Sequence, residues 1–128
     1  MEKLKLDLII ERGENELSGR VTYNDNLIVD MAPTVTELEV QIAKLLEDFE
    51  GIDQREVEFN HLYDVYALFD RFDFLNISKV ASHAGINAGL LRQYASGVKH
   101  PSANQAKKIE DTIHDLATQM QKAAVYAE

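Results

Sequence analysis

Residues 84–102 have the sequence AGINAGLLRQYASGVKHPS, and this stretch decides the fold of the second half of the chain. Gly85 can adopt the positive φ that a tight turn between two packed helices requires. Asn87 is a candidate N-cap for a short helix that ends at Gly97, and Pro101 prevents that helix from continuing. The stretch therefore predicts the turn and the second helix of a helix-turn-helix.

Apolar residues on both sides of this stretch recur at helical spacing, which predicts a helix before it and a helix after it. The preceding helix has Asn76 as its candidate N-cap and an apolar face made of Ile77, Val80, Ala81 and Ala84. The following helix begins with a capping box of Ser102 and Gln105. Its apolar stripe consists of Ala106, Ile109, Ile113, Leu116 and Met120.

The second helix of the motif is the one that enters a DNA major groove. We expect Leu90, Leu91 and Tyr94 to point inward. On the outward side, Arg92 can make bidentate contacts to guanine and Gln93 can pair with adenine. Ala88, Gly89 and Ser96 are also expected to face outward, and the small side chains of Ala88 and Gly89 in the first turn let the backbone approach DNA closely. The predicted DNA-binding residues are Lys79, Asn87, Ala88, Gly89, Arg92, Gln93, Ser96, Lys99, His100 and Lys107.

The first half of the chain alternates apolar and polar residues with a period of two, as half-buried strands do. Candidate strands are KLKLDLII, LSGRVTY, LIVDM and REVEF. A helix capped by Thr34 and Glu37 and ended by Gly51 separates the last two strands. We expect a small antiparallel sheet with one helix, in the order βββαβ, followed by an all-α domain. The fold class is therefore predicted as α+β.

Composition excludes several classes of function. The chain has 128 residues, a formal charge of −9 and no cysteine, which fits a cytoplasmic protein without disulfides. Residues 1–74 carry 18 Asp/Glu and 7 Lys/Arg, whereas residues 75–128 carry 4 and 6, so the halves are expected to do separate jobs. We expect no membrane span, no cofactor and no enzymatic activity. No metal ligands are predicted among the four histidines, His61, His83, His100 and His114.

The second half resembles the lambda-repressor-like family, the xenobiotic-response-element type of regulator. The family positions correspond here to Val80-Ala81, Gly85-Ile86-Asn87, Leu91, Gly97, Lys99-His100 and Pro101-Ser102. Ile77 stands where the family usually has a glutamine that contacts a phosphate. The resemblance implies an all-α fold of about five helices over residues 62–120, with HLYDVYALFDRF as the first. That first helix is expected to pack through Leu62, Val65, Tyr66 and Phe69.

The layout of the whole chain is similar to that of HicB-type antitoxins of toxin–antitoxin pairs. In place of the family's Pro-Gly and Gly-Asp-Thr, this chain has DMAPTVTELE before its helix. The resemblance implies that residues 1–58 bind a small basic ribonuclease toxin. It implies that residues 62–122 form a helix-turn-helix domain that represses the pair's own promoter.

Two functions therefore remain open at this point. The first is a sequence-specific DNA-binding regulator that acts on an operator in double-stranded DNA as a homodimer, because a two-fold dimer doubles the small number of phosphate contacts. The second is a protein-interaction adaptor whose helical bundle does not bind DNA, which Ile77 and the low positive charge favour. A metal-dependent nuclease built on Asp7, Glu11 and Asp30 is the weakest alternative, because their spacing does not require convergence.

Overall fold

The computed structural model describes residues 3–127, which contain four β-strands and five α-helices. The strands are β1 (Leu4–Arg12), β2 (Leu17–Tyr23), β3 (Asn26–Ala32) and β4 (Val57–Tyr63). The helices are α1 (Val35–Glu50), α2 (Val65–Arg71), α3 (Ile77–Ala84), α4 (Ala88–Ala95) and α5 (Ala103–Lys122), and a 3-10 turn at Gln54–Glu56 precedes β4. The predicted α+β class is confirmed.

The four strands form one mixed sheet in the order β3-β2-β1-β4. β1, β2 and β3 are antiparallel neighbours, and Asn24 and Asp25 both have positive φ in the two-residue turn between β2 and β3. β4, however, runs parallel to β1. The prediction of an antiparallel sheet is therefore wrong for this strand. The connection from β3 contains α1 and crosses over the sheet, and crossover connections of this kind join parallel strands.

α1 covers one face of the sheet. The Thr34 side chain accepts a hydrogen bond from the Glu37 N–H at 3.2 Å, and the helix ends at Gly51 with φ 70°, as the sequence predicts. Leu38, Ile42 and Leu46 are completely buried against sheet residues such as Leu8 and Ile10. The core of this half therefore lies between α1 and the sheet.

The segment after β4 differs from its prediction. β4 extends to Tyr63 because it pairs with β1 along the whole register from Leu4↔Val57 to Ile10↔Tyr63. The Asp64 side chain then accepts a hydrogen bond from the Ala67 N–H at 2.7 Å and begins α2. Ala67 belongs to the sheet core. The expectation that HLYDVYALFDRF supplies the first helix of the helical domain is wrong, because β4 takes its first residues and α2 packs on the sheet.

The chain divides into two compact units between Arg71 and Phe72. We call residues 3–71 the sheet unit and residues 72–127 the helical unit. The sequence places this division between residues 58 and 62, which are part of β4. The later boundary follows from the packing of α2 on the sheet, which the local pattern does not reveal.

Within residues 72–127, the helical unit contains three helices, α3, α4 and α5, rather than about five. α3 packs against both α4 and α5. The buried core of the helical unit consists of Val80, Ala81, Ile86, Leu91, Tyr94 and Ile109. The apolar stripe of α5 is buried at Ile109 and becomes exposed by Met120, which is 59% accessible.

Candidate functional site

A glycine turn joins α3 to α4. Gly85 has φ 71° and ψ 33°, the left-handed conformation that ends α3. The Ile86 N–H then donates to the Ala81 carbonyl at 2.9 Å, and the Ile86 side chain is buried. Together with the bond from the Gly85 N–H to the Ser82 carbonyl at 3.3 Å, this arrangement is a Schellman motif. The turn between the two helices thus has the conformation that the sequence predicts.

The end of the turn caps α4. The Asn87 side chain is exposed and accepts a hydrogen bond from the Leu90 N–H at 3.2 Å, while the Asn87 carbonyl accepts one from the Leu91 N–H at 3.0 Å. The side chain therefore satisfies one N–H of the first turn, and others stay available for an anion. The predicted N-cap is confirmed.

The exposed side of α4 and its C-cap form a stripe of four residues, Gly89, Arg92, Gln93 and the C-cap residue Ser96. Arg92 and Gln93 lie three and four residues after Gly89, and Ser96 lies four and three residues after them. This spacing places all four on one side of a helix. The opposite side contains Leu91 and Tyr94, which are 0% and 7% accessible. We call this stripe the α4 stripe. Each of its members was predicted to be outward-facing.

The position of Ala88 differs from its prediction. The sequence places Ala88 outward with Gly89, but the structure has Ala88 half-buried at the first position of α4. Leu90 is half-buried as well, so its predicted inward orientation is only partly realised. In the first turn of α4, Gly89 is therefore more exposed to solvent than Ala88.

The Arg92 guanidinium hydrogen-bonds to a residue that the sequence did not single out. Its Nη2 donates to the hydroxyl of Ser78, which is exposed in the first turn of α3. This contact connects the two helices of the motif and fixes the direction of the long Arg92 side chain. Ser78 and Arg92 are 14 positions apart, so no local pattern in the sequence could have identified Ser78 as the partner of Arg92.

The chain after α4 folds back onto the end of the stripe. The Gln93 carbonyl accepts hydrogen bonds from the Val98 N–H at 3.0 Å and the Lys99 N–H at 3.2 Å. The Ser96 hydroxyl donates to the same carbonyl at 3.2 Å. Three donors thus hold residues 96–99 beside α4, which places the exposed Lys99 next to the stripe in sequence and in space.

The other predicted cations are all exposed but differ in their partners. Lys107 forms an ion pair with Asp111 at 2.9 Å one turn along α5, and hydrogen bonding to this carboxylate raises the pKa of Lys107. Lys79, Lys99 and His100 have no ion pair with any residue in the range 3–127. A DNA phosphate would therefore compete with Asp111 for Lys107, whereas Lys79 and Lys99 carry uncompensated charge.

Two negative findings apply to residues 3–127. No three or more His, Asp or Glu side chains come together closely enough to hold a metal ion. No helix in this range combines the length and the apolar character that crossing a membrane requires. His61 in β4 instead pairs with Glu39 of α1.

Comparisons with family models, with curated proteins and with solved structures give no match to this chain.

Proposed function

We propose that this protein is a sequence-specific DNA-binding transcriptional regulator that acts as the autorepressing antitoxin of a toxin–antitoxin pair in the cytoplasm. The observation that supports DNA binding best is the α4 stripe. Its four exposed residues lie on the second of two helices joined by a glycine turn and on the C-cap of that helix, and Arg92 and Gln93 are the two side chains best suited to base contacts.

The remaining predicted residues position the helix on the DNA backbone. Asn87, Ala88 and Gly89 seat the N-terminal end of α4 near a phosphate, where the free N–H groups of the first turn favour an anion. Lys79, Lys99 and Lys107 neutralise phosphates, and His100 lies beside them. Because these contacts carry no sequence information, specificity belongs to Arg92 and Gln93, with Ser96 at the far end of the stripe.

We further propose that the protein binds its operator as a homodimer. One copy offers few phosphate contacts, whereas a two-fold dimer presents two copies of α4 about one DNA turn apart, roughly 34–36 Å. The C-terminal part of the helical unit has exposed apolar side chains suited to such a contact, at Met120 and Val125. The operator should accordingly be a palindrome with half-sites about one turn apart.

The toxin-binding role is assigned to the sheet unit. Residues 1–71 contain 17 Asp/Glu and 7 Lys/Arg, whereas residues 72–128 contain 5 and 6. An acidic unit repels DNA and attracts a small basic protein. The proposal therefore gives each unit a partner of opposite charge.

A gel-shift titration with the upstream region of the protein's own gene tests DNA binding. We expect a retarded complex that survives an excess of unrelated duplex, with protection of two half-sites in a footprint. Gln93→Ala should weaken the complex and change base preference within each half-site, whereas Gln119→Ala on α5, also exposed, should leave both unchanged. Equal binding to operator and unrelated duplex would contradict sequence-specific regulation.

The alternative function is a protein-interaction adaptor. The near balance of acidic and basic residues in the helical unit and the pairing of Lys107 with Asp111 favour it. The two functions differ in their behaviour towards bulk duplex DNA at low salt, where non-specific binding is strongest. At low salt, an adaptor should not bind bulk duplex DNA, even at the protein concentrations at which a regulator does.

A further inference from the structure

β3 lies at the edge of the sheet, and its outer backbone groups are only partly protected. At Met31 the N–H donates to the Asp30 carboxylate at 2.8 Å, and the carbonyl accepts a hydrogen bond from Gln41 Nε2 of α1 at 2.9 Å. Both Met31 backbone groups therefore point away from β2 and are satisfied by side chains. Such protection is the usual way to prevent further strand pairing at an edge.

Leu27 and Val29 lie four and two residues before Met31, so their backbone groups point to the same side of β3. Those backbone groups have no such protection. In an antiparallel pair, every second residue directs its N–H and C=O away from the neighbouring strand. No side chain among residues 3–127 donates to or accepts from the backbone of Leu27 or Val29. Their side chains are also unusually exposed for a strand, at 62% and 50%. The middle of β3 is therefore open to a further strand.

A groove between β3 and α1 runs along this open segment. It has a volume of about 480 Å³ and is lined by residues 26–29 of β3 and by Leu45, Phe49 and Glu50 of α1. A hydrogen bond of 2.8 Å from Asn26 Nδ2 to the Glu50 carboxylate joins two of the residues that line it. Phe49 is 75% exposed at the rim.

We propose that this groove, together with the open edge of β3, binds an extended, basic segment of the partner protein as a fifth strand of the sheet. The inference rests on the proposed function in one respect, that the sheet unit has a basic protein partner. Backbone groups of the segment pair with Leu27 and Val29. Alternate apolar side chains then pack on one side against Leu45 and Phe49, and on the other against the exposed side chains of β3.

The charges around the groove select the occupant. Glu50 of α1 lines the groove, whereas Glu39 and Glu47 contact His61 of β4 and Gln54 before β4 and so do not face it. Asp25 lies in the turn before β3, and Asp30 lies within it. If a second copy of this chain paired through the same edge, the carboxylates of Asp25, Asp30 and Glu50 would approach those of the other copy, and such like-charge contacts are unfavourable. A segment with Lys or Arg at both ends instead brings opposite charge to Glu50 in the groove and to Asp25 and Asp30, which flank residues 26–29 of the open segment.

A titration of the full chain with a blocked synthetic peptide tests the inference. The probe is Lys-Lys-Val-Thr-Val-Lys-Lys, with a second peptide in which Glu replaces each Lys and a third in which Pro replaces Thr and removes a backbone donor. We expect saturable NMR shifts and slowed amide exchange at Leu27 and Val29 with the Lys peptide. Its affinity should exceed that of the Glu and Pro peptides by about tenfold or more.

Two exposed apolar residues of α1 provide a matched pair of variants. Phe49→Ala, at the groove, should reduce binding of the Lys peptide by about tenfold, whereas Val40→Ala, 61% exposed but outside the groove, should leave it unchanged. Shifts at residues that surround Val40 instead of at β3 would overturn the inference while leaving a basic partner in place.

Two further outcomes also overturn the inference. If no peptide binds the sheet unit, the groove inference fails, whereas the proposed regulator function is judged separately by the gel shift. If the Leu27 and Val29 amides shift with protein concentration alone, and Phe49→Asp abolishes that dependence, the edge is an interface between copies of this chain.

Discussion

Arg92 combines two properties that a base-reading side chain needs. It is exposed on the α4 stripe, and its Nη2 is hydrogen-bonded to the Ser78 hydroxyl, which limits its rotamers in the unbound protein. A long side chain that is already ordered loses less conformational entropy on binding. The other guanidinium donors stay available for a guanine or a phosphate.

Arg92→Ala should therefore weaken operator binding by about 1–3 kcal/mol and relax the base preference at one position of each half-site. Gel shifts with operators mutated at single positions measure both effects. Ser78→Ala should have a smaller effect in the same direction, and Ser82→Ala, also exposed on α3, should have none. Unchanged affinity and unchanged preference in Arg92→Ala would remove Arg92 from the proposed DNA-binding residues.

Gly85 is required by its backbone conformation alone. Its φ is 71°, and a Cβ added there meets no heavy atom within 4 Å. Gly85→Ala should consequently destabilise the helical unit by roughly 1–2 kcal/mol through left-handed strain, without any steric clash. Thermal unfolding followed by circular dichroism measures this loss. Ala84→Gly, at the preceding helical position, provides a comparison. It changes the side chain by the same one methyl group but does not alter the φ that the turn requires.

At the scale of elements, the packing of α1 on the sheet requires the helix to approach β2 closely. A Cβ on Gly19 would lie 2.5 Å from Leu38 Cδ2, and Leu38 is completely buried, so its side chain has little freedom to move aside. Gly19→Ala should destabilise the sheet unit by about 1–3 kcal/mol, as overpacking of a core does. Ser18→Ala, the neighbouring residue on the other face of β2, should change the midpoint of urea unfolding much less.

The elements of the helical unit were largely predictable because their ends are local. Asn76, Asn87 and Ser102 each accept a hydrogen bond from the N–H three residues later, at 3.0, 3.2 and 3.2 Å. These bonds involve only neighbours in sequence, so a pattern of a few residues determines them. The interaction of Arg92 with Ser78 was not predictable in the same way, because the two residues are 14 positions apart.

At the scale of the whole molecule, the distribution of charge separates the two proposed partners. The acidic sheet unit adds repulsion to any approach of DNA, so binding depends on the few free cations of the helical unit. Operator affinity should therefore fall steeply with salt, by about 0.9 in log slope for each phosphate contact.

Lys99→Ala should reduce the salt slope by about one unit for each copy bound, with little change in sequence preference. Lys122→Ala, at the end of α5, should leave the slope unchanged. Lys107→Ala should have an intermediate effect, because Asp111 already pairs with this ammonium. Fluorescence anisotropy over a series of salt concentrations measures all three. Equal slopes in Lys99→Ala and Lys122→Ala would show that Lys99 contacts no phosphate.

The sequence by itself determined the α+β class, the caps and glycine ends of the helices and the exposure of Arg92 and Gln93. Each of these depends on hydrogen bonds or periodicities within a few residues. Only the tertiary structure decided that β4 runs parallel to β1, that α2 packs on the sheet, and that Ala88 is half-buried. Those features depend on which distant segments meet, and neither strand direction nor the surface that a short amphipathic helix covers is encoded in local spacing.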